Sequence, residues 1–549
     1  MLKPVEMKKI RIYVHSDYID RVLHKLGEIG KLHIIDIEES LDEFNDKLQT
    51  VEASDKLFKV SSLLSRINSL IDTLKIHGGP KTKVNAKTEF MDEQLNQINN
   101  NVDKIEEETQ RLLTQLSETE KAKIPSEEVR RKTEQIKLEL RNLADKNGST
   151  LLVHKEILEI EMKIEEAKTL MGKTKHTHVF EGWIPETDAE NTLGVIKSVS
   201  ENCCSIDHLK AESDHKESEK PPTLLKNPRF VGVFESLTKA FGMPNYYEID
   251  PTIFWLISFP IIFGLMFGDI AHGVLLFLAG AAFLFIKRKG IELGGTLGQL
   301  AKYPINGAPL LIMCGLSSTV AGFLYGDILG SEELYKALTG LEHPIWFSPW
   351  HQPMTLLKYS IYIAMIHITF GLILSLVNHI KAKEYKDALV GPIIWLWLYW
   401  SFSILILQFK WNAISGILNP SSLGSYVIFH PFIPFIAMIA ARTAIHKGEG
   451  MTESLESFLS SISHTVSYAR ILALKMVGSA FTSLFPFSLT LGGFAAFVGG
   501  TIFIMILEPL LCSLHTLRLH WVEWFLKFYQ GTGFTYQPFI FFRKFTIPA

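Results

Sequence analysis

Arg470 lies near the middle of Glu453–Phe485, ESLESFLSSISHTVSYARILALKMVGSAFTSLF, a run of 33 residues with no proline and one glycine. Such a run can cross a bilayer at a tilt. A guanidinium at the centre of a spanning helix costs at least ~2.5–3.5 kcal/mol, so it needs a partner or a task. On a helix turning about 100° per residue, with Arg470 at zero, Ser463 falls at about 20°, Glu456 at about 40°, Ser467 at about 60° and Ser460 at about 80°. All four precede Arg470. Beyond it the same sector holds Leu474, Val477, Gly478 and Phe481. A polar stripe therefore reaches Arg470 from one end and stops, the form of an aqueous half-channel ending at a charge. His464, beside Ser463, joins Ser460, Ser463 and Ser467 as candidate channel-lining residues. The competing reading is a helix seam of small serines with Arg470 in a structural ion pair.

The next apolar run, 487–528, carries Glu508. His515 shares its face, and Arg518 lies about 80° away. Bare arginines cannot face each other in lipid, so Glu508 or another carboxylate is expected near them. Glu508 is read either as a proton relay or as a salt-bridge partner of Arg470 or Arg518. Lys475 lies about 140° from Arg470 and is expected to snorkel or pair elsewhere. Asp269 and Asp327 end two similar strings, FGLMFGD and AGFLYGD, whose G-xxx-G spacing suits close helix packing. Both Asp269 and Asp327 are read as ion-access residues or as caps of the next helical turn. His272, His367, Asn378 and His379 lack metal spacing and are expected to make hydrogen bonds between helices.

The elements that position these groups follow from hydropathy. After about Ile253 the chain is rich in Phe, Leu, Ile and Trp, and eight spans are expected: 253–268, 271–286, 306–327, 355–380, 389–409, 424–442, 454–484 and 487–528. Basic residues gather after the second span (Lys287, Arg288, Lys289), the fourth (Lys381, Lys383, Lys386), the sixth (Arg442, His446, Lys447) and the eighth (Arg543, Lys544). The positive-inside rule then places both termini in the cytoplasm. Trp346, Trp350, Trp411 and Tyr426 fit an outer interfacial belt.

The N-terminal half is rich in Lys and Glu. Residues 8–37 and 176–210 each read as a βαβ unit, together a ferredoxin-like α/β lobe split by an insertion, the alternative being two unrelated βαβ pieces. That insertion, about 39–172, is helical. Leu95, Ile98, Val102, Ile105, Thr109, Leu112 and Leu116 form a heptad seam, and Val153, Ile157, Ile160, Ile164, Ala167 and Met171 form another. An earlier helix over about 39–76 and breaks at 77–83, near Pro125 and at Lys146–Thr150 complete an antiparallel coiled-coil arm. The fold class is thus a cytoplasmic α/β lobe with a long helical arm (1–210), a linker (211–250) and an all-α polytopic membrane domain (251–549) whose last two helices are long and tilted.

Several functions are excluded. A net charge of −3 predicts no nucleic-acid partner. No phosphate-binding glycine loop followed by Lys and Ser/Thr occurs, so the chain should not hydrolyse nucleotide itself. The four cysteines show neither zinc spacing nor a disulfide framework. No apolar signal core opens the sequence. No catalytic residue, metal site or cofactor is expected.

The runs SHTVSYARILAL (463–474) and LHTLRLHWVEWFLKFYQGTGFTYQPF (514–539) resemble the C-terminal signature of the membrane stator subunit of rotary V-type and A-type ATPases, called subunit a or subunit I. The linker and first span (221–269) and EGWIP (181–185) are similar to that family too. The resemblance implies that Arg470 faces the ion-binding carboxylate of a rotor ring and that Arg518 is a second channel arginine. It implies Glu508 as an outer half-channel acid and Glu456 as a cytoplasmic one. It implies as partners the rotor c-ring (subunit c/K), peripheral-stalk subunits of E and G/H type and a central-stalk contact, all at a prokaryotic, archaeal-type cell membrane. The sequence departs from the family at Gly478, where eukaryotic members carry His, at Ser460, which replaces Asn, and at Lys475, which replaces a small residue.

Two other classes compete. A secondary ion transporter would show two related membrane halves around a midplane site, and the paired GD strings hint at that. A membrane-anchored coiled-coil scaffold would have no need of the intramembrane arginines or Glu508.

Overall fold

The structure, a computed structural model, describes residues 4–37, 48–76, 83–86, 92–121, 127–209, 220–291, 295–409, 426–446, 448–485 and 490–548. The chain is mostly helical, with a small antiparallel sheet near its N-terminus and, among the described residues, five helices long and apolar enough to cross a membrane. It divides into two compact units: 5–222 with 535–549, and 223–534 with 1–4.

In the first unit, β1 (Met7–His15) alternates inward and outward, and Ile10, Ile12 and Val14 are fully buried. Helix α1 (Ile19–Ile29) packs Ile19, Val22, Leu23 and Leu26, a three-and-four spacing, into the same core. It ends at Gly30, whose φ of 64° favours glycine. After β2 (His33–Ile35) and β3 (Gln49–Thr50) come α2 (Asp55–Leu74), β4 (Val84–Ala86), α3 (Asp92–Lys121) and α4 (Glu127–Thr169). The chain then returns through β5 (Gly172–Lys173), β6 (Thr177–Pro185), α5 (Glu186–Val199) and β7 (Cys204–Leu209). Strand β1 pairs antiparallel with both β6 and β7, and β2 pairs antiparallel with β6. The order β7-β1-β6-β2 therefore interleaves the two βαβ units.

Between them, α2, α3 and α4 share a core that includes Val60, Ile67, Val102, Leu151 and Leu158. Ser54 meets Glu165 and the far end of α2 meets Gly148, so α2 and α4 run antiparallel. Arg66 joins α2 to α3, reaching Asn99 at 3.0 Å, Asp103 at 2.5 Å and Glu106 at 2.9 Å. The expected break at Lys146–Thr150 does not occur. Asn147 bonds back to the Leu143 carbonyl at 3.3 Å, and Gly148 leaves room for Ile76, so the helix continues. The expected first helix, about 39–76, begins only at Asp55, capped by Ser54 after β3; its stretch 39–47, residues 77–82 of the expected break at 77–83, and the break near Pro125 lie outside the described residues.

The last residues depart from the expected membrane domain of 251–549. Residues 535–548 pack in the first unit. Phe541 covers Gly27, where a Cβ would lie 2.3 Å from its ring. Glu156 of α4, 4% exposed, accepts the backbone N–H groups of Lys544, Phe545 and Thr546 at 2.8, 2.7 and 2.9 Å. Strand β8 (Thr546–Pro548) then pairs with β4. Hydropathy assigned this tail by adjacency to span eight, but a carboxylate 388 residues upstream of Lys544 holds it.

Burial also sets a pH response. Burial, aided by Arg543, lowers the pKa of His24 from 6.5 to about 4, and burial lowers His33, His154 and His178. Between its two values each ring binds more protons unfolded than folded. Their stability contribution is therefore full above about pH 6.5 and falls as the pH drops toward 4. His24 alone accounts for a loss on the order of 2–3 kcal/mol by about pH 4. Pulse proteolysis of the intact protein in urea should show a lower midpoint at acid pH, and His24→Phe should flatten that dependence.

The second unit begins with α6 (Gly232–Phe241), inside the expected 211–250 linker, of which 211–219 lie outside the described residues. Then come α7 (Thr252–Phe267), α8 (Ile270–Lys289), α9 (Gly295–Asn306), α10 (Ala308–Tyr325), α11 (Glu332–Thr339) and α12 (Pro353–Lys381). Helix α13 (Tyr385–Ala388) continues through a π-helical turn, Leu389–Ile393, into α14 (Ile394–Phe409). The last four are α15 (Tyr426–His446), α16 (Glu449–Ser467), α17 (Arg470–Ser483) and α18 (Leu491–Arg518). A π-helical turn, Leu519–Trp524, extends α18. The spans that qualify are 270–289, 308–325, 353–381, 385–404 and 491–527. Thr252–Phe267 and Phe432–Ile445 are apolar but shorter, and the seventh expected span is interrupted between α16 and α17. The loop around Trp411 and the Tyr426 side chain lie outside the description.

Glycines set the closest helix approaches. A Cβ on Gly264 would lie 2.3 Å from Ser317 Oγ, and one on Gly322 2.5 Å from the Ile270 nitrogen. The later glycine of each pair, Gly268 or Gly326, instead ends its helix at positive φ. One glycine of each G-xxx-G pair thus packs and the other caps. The core is aromatic, with Trp255, Phe259, Trp524 and Phe525 fully buried around His367 and His520.

Candidate ion-path site

Arg470 is placed by a tightened turn. At the end of α16 the N–H groups of Tyr468 and Ala469 bond three residues back, to Thr465 and Val466, at 3.3 and 2.9 Å. Buried Tyr468 pins this turn through its hydroxyl, 2.6 Å from His367 Nδ1. Arg470 therefore opens α17 instead of sitting in the middle of one helix. Its guanidinium donates to the Ser467 hydroxyl and carbonyl and lies 3.4 Å from Glu523 Oε1. The side chain is 24% exposed, while that of Glu523 is 2%. Ser467 donates to the same Glu523 oxygen at 2.5 Å.

The carboxylate expected beside Arg470 is thus Glu523, and Glu508 forms neither of the ion pairs weighed for it. Glu523 lies in the π-helical turn after α18. One turn further, buried Lys527 donates to Ser460 Oγ at 2.8 Å and sits 4.1 Å over the Trp395 ring. Toward the start of α16 a cavity of about 440 Å³ opens among His379, Glu384, Asp387, Arg442, Glu453 and Glu456. Arg442 closes one wall by donating to the Glu453 carbonyl and to Ser457 Oγ, both at 2.8 Å. Polar groups therefore run from Glu456 through Ser460 and Lys527 to Ser467, Glu523 and Arg470. The serines of α16 divide between two faces. Ser454, Ser457 and Ser461 are buried in the bundle, whereas Ser463 and Glu456 are exposed.

A second group of charges lies beyond Arg470. Glu508, 7% exposed, rests on Gly478: a Cβ there would lie 1.8 Å from Glu508 Oε1. Lys475, one turn earlier on α17, is 2% exposed. It does not snorkel. Its ammonium donates to Asp327 Oδ2 at 2.6 Å and to the Gly268 carbonyl at 2.8 Å. Asp269 caps α8, accepting the N–H of His272 at 3.0 Å, and also accepts the N–H of Gly330 at 3.1 Å. A cavity of about 300 Å³ ends on Asp327 and Lys475, with Tyr325, Ser479 and Ser483 in its wall.

The remaining candidates stay apart. Arg518 is exposed and has no ion pair among the described residues. His515 Nδ1 lies 2.9 Å from the Leu511 carbonyl of its own helix. His464 is half-buried, and its Nδ1 has no partner among the described residues. Asn378 joins Ile249 to Phe528, a packing role. The structure adds Glu523 and Lys527. Glu523 and Lys527 carried one usable signal: two charges within the apolar run HWVEWFLKF.

Comparison with known proteins points one way. The profile of the V-type ATPase 116 kDa subunit family matches residues 128–337 and 440–541. The chain is similar to the A-type ATP synthase subunit I of Methanocaldococcus jannaschii, 25% identical over 99% of this chain and 87% of the relative. It is 27% identical to the Pyrococcus horikoshii A-type ATP synthase subunit I, over 77% of this chain and 62% of that protein. It is 23% identical to the Dictyostelium discoideum vacuolar proton translocating ATPase 100 kDa subunit, over 66% of this chain and 58% of that one.

Proposed function

The chain belongs to the V-type ATPase 116 kDa subunit family, and on that premise we propose that it is the membrane stator of a rotary A/V-type ATPase or ATP synthase. It offers ions two half-channels to a rotor ring. The cytoplasmic one starts at the cavity beside Glu456 and ends at Arg470. The outer one starts at the cavity above Asp327 and ends near Glu508. The basic loops orient these ends. An ion enters one half-channel, binds a ring carboxylate, travels with the ring and leaves by the other. Arg470 supplies a fixed positive charge. It attracts each ring carboxylate, favours release of its ion and blocks direct leakage between the paths. A membrane potential of about 100 mV supplies ~2.3 kcal/mol per charge moved.

The observation that carries this reading is the position of Arg470. It ends one polar path, its side chain is partly exposed, and its internal partner Glu523 is a single carboxylate that a ring carboxylate could replace. The antiparallel helices α2–α4 support a stiff coiled-coil arm, and the strand order supports a ferredoxin-like lobe. Together they would bind E and G/H-type peripheral stalks and resist rotor torque. Affinity purification of the intact protein from its own membranes tests this. Co-purification of a c-type ring and stalk subunits is expected, and isolation without them contradicts the stator role.

A further inference from the structure

The floor of the second cavity holds a group that the mechanism above leaves unused. Lys475 is a lysine 2% exposed among helices. Its ammonium touches an Asp327 carboxylate oxygen at 2.6 Å, the Gly268 carbonyl at 2.8 Å and, at 5.8 Å from its centroid, the Tyr325 ring. Three acids surround it: Asp327 after α10, Asp269 between α7 and α8, and Glu508 on α18. His272 of α8 stands 3.3 Å from Asp269. His272 Nε2 is buried without a hydrogen bond among the described residues.

A carboxylate oxygen, a carbonyl oxygen and an aromatic face form a resting place for a monovalent cation. Here a covalently held ammonium fills it. Resting on the stator reading, we propose that Lys475 is a tethered cation that makes the outer path selective for protons over sodium. A dehydrated sodium ion needs several oxygens to replace its water. On this path it meets oxygens already bound to Lys475 and a fixed positive charge. A proton needs only one acceptor at a time. It moves between carboxylates, breaking one O–H bond as the next forms, and Asp327, Asp269 and Glu508 provide the oxygens. Lys475 also offsets the charge of these carboxylates when they are ionised, which holds the cluster together without a bound metal ion.

The test uses the intact complex in sealed vesicles, with a pH-sensitive dye and radioactive sodium as probes. The native complex should acidify vesicles equally in sodium and choline media and carry no radioactive sodium. ATP-driven sodium uptake by the native complex would overturn the proposal whether or not any variant folds. In Lys475→Met the emptied site should accept sodium, so sodium on the outer face should slow acidification several-fold while choline does not. Equal rates in both salts would also overturn it. Lys475→Arg keeps the cation and should remain insensitive to sodium; inhibition as strong as in the methionine variant would contradict the assignment. These results are separable from the stator reading. If Arg470→Ala pumps normally, that reading fails. If Arg470 is required and sodium still passes, only the role of Lys475 fails.

Discussion

Arg470→Ala should leave the complex assembled while ATP-driven ion pumping falls to background. On the proposed mechanism the substitution removes the charge that would attract a ring carboxylate and separate the two paths. It should not unfold the helices, because alanine favours helix and the tightened turn is pinned by Tyr468 and His367 rather than by the guanidinium. It strands the Glu523 carboxylate, 2% exposed, with Ser467 as its neighbour. Native gels should therefore show the full complex, and dye quenching should show no gradient. Coupled pumping at the normal rate would remove Arg470 from the mechanism.

Gly478→Ala should cut transport about tenfold, equivalent to ~1.4 kcal/mol of barrier. The added Cβ would lie 1.8 Å from Glu508 Oε1, so the carboxylate must move. Alanine in place of a helical glycine should itself stabilise α17 by about 0.5–1 kcal/mol, which separates lost transport from lost folding. Adding Glu508→Asp shortens the acid by one methylene and should recover part of the rate. Glu508→Gln, which fills the same space without ionising, should slow transport in the same way and gain nothing from the glycine. Unchanged pumping by Gly478→Ala would mean that the position of Glu508 is irrelevant to the outer path.

Much of this arrangement was legible in the sequence because charge in an apolar run is rare and costly. Arg470, Glu508 and Lys475 each announced themselves in that way, and Lys475 pairs elsewhere as its angle implied. The heptad seam of α3 was readable because its periodicity is local, and of its seven residues all but Leu116 are buried; in the second expected seam Ile160, Ile164, Ala167 and Met171 instead pack in the core beneath the sheet. What failed was angular counting across irregular turns. The stripe through Arg470 assumed one uniform helix, but three-residue hydrogen bonds at Tyr468 and Ala469 tighten it. Glu523 was missed as the arginine's partner because a π-helical turn places it, and no α-helical angle passes through that turn correctly. The partner of Lys475, Asp327, lies 148 residues away, a pairing that spacing cannot supply. The same limit hid the seat of the C-terminal tail on Glu156.

The central claim is that the open face of α16 and α17 meets a rotor ring at Arg470. Site-directed cross-linking in the assembled complex tests it most directly. A cysteine at exposed Ser463 should form a disulfide with a cysteine beside the ring carboxylate, and that bond should stop ATP-driven pumping until it is reduced. A cysteine at buried Ser461, which accepts a hydrogen bond from Trp395 at 2.8 Å, should not. Cross-linking from Ser461 but not Ser463, or from neither in a complex that pumps, would contradict the account.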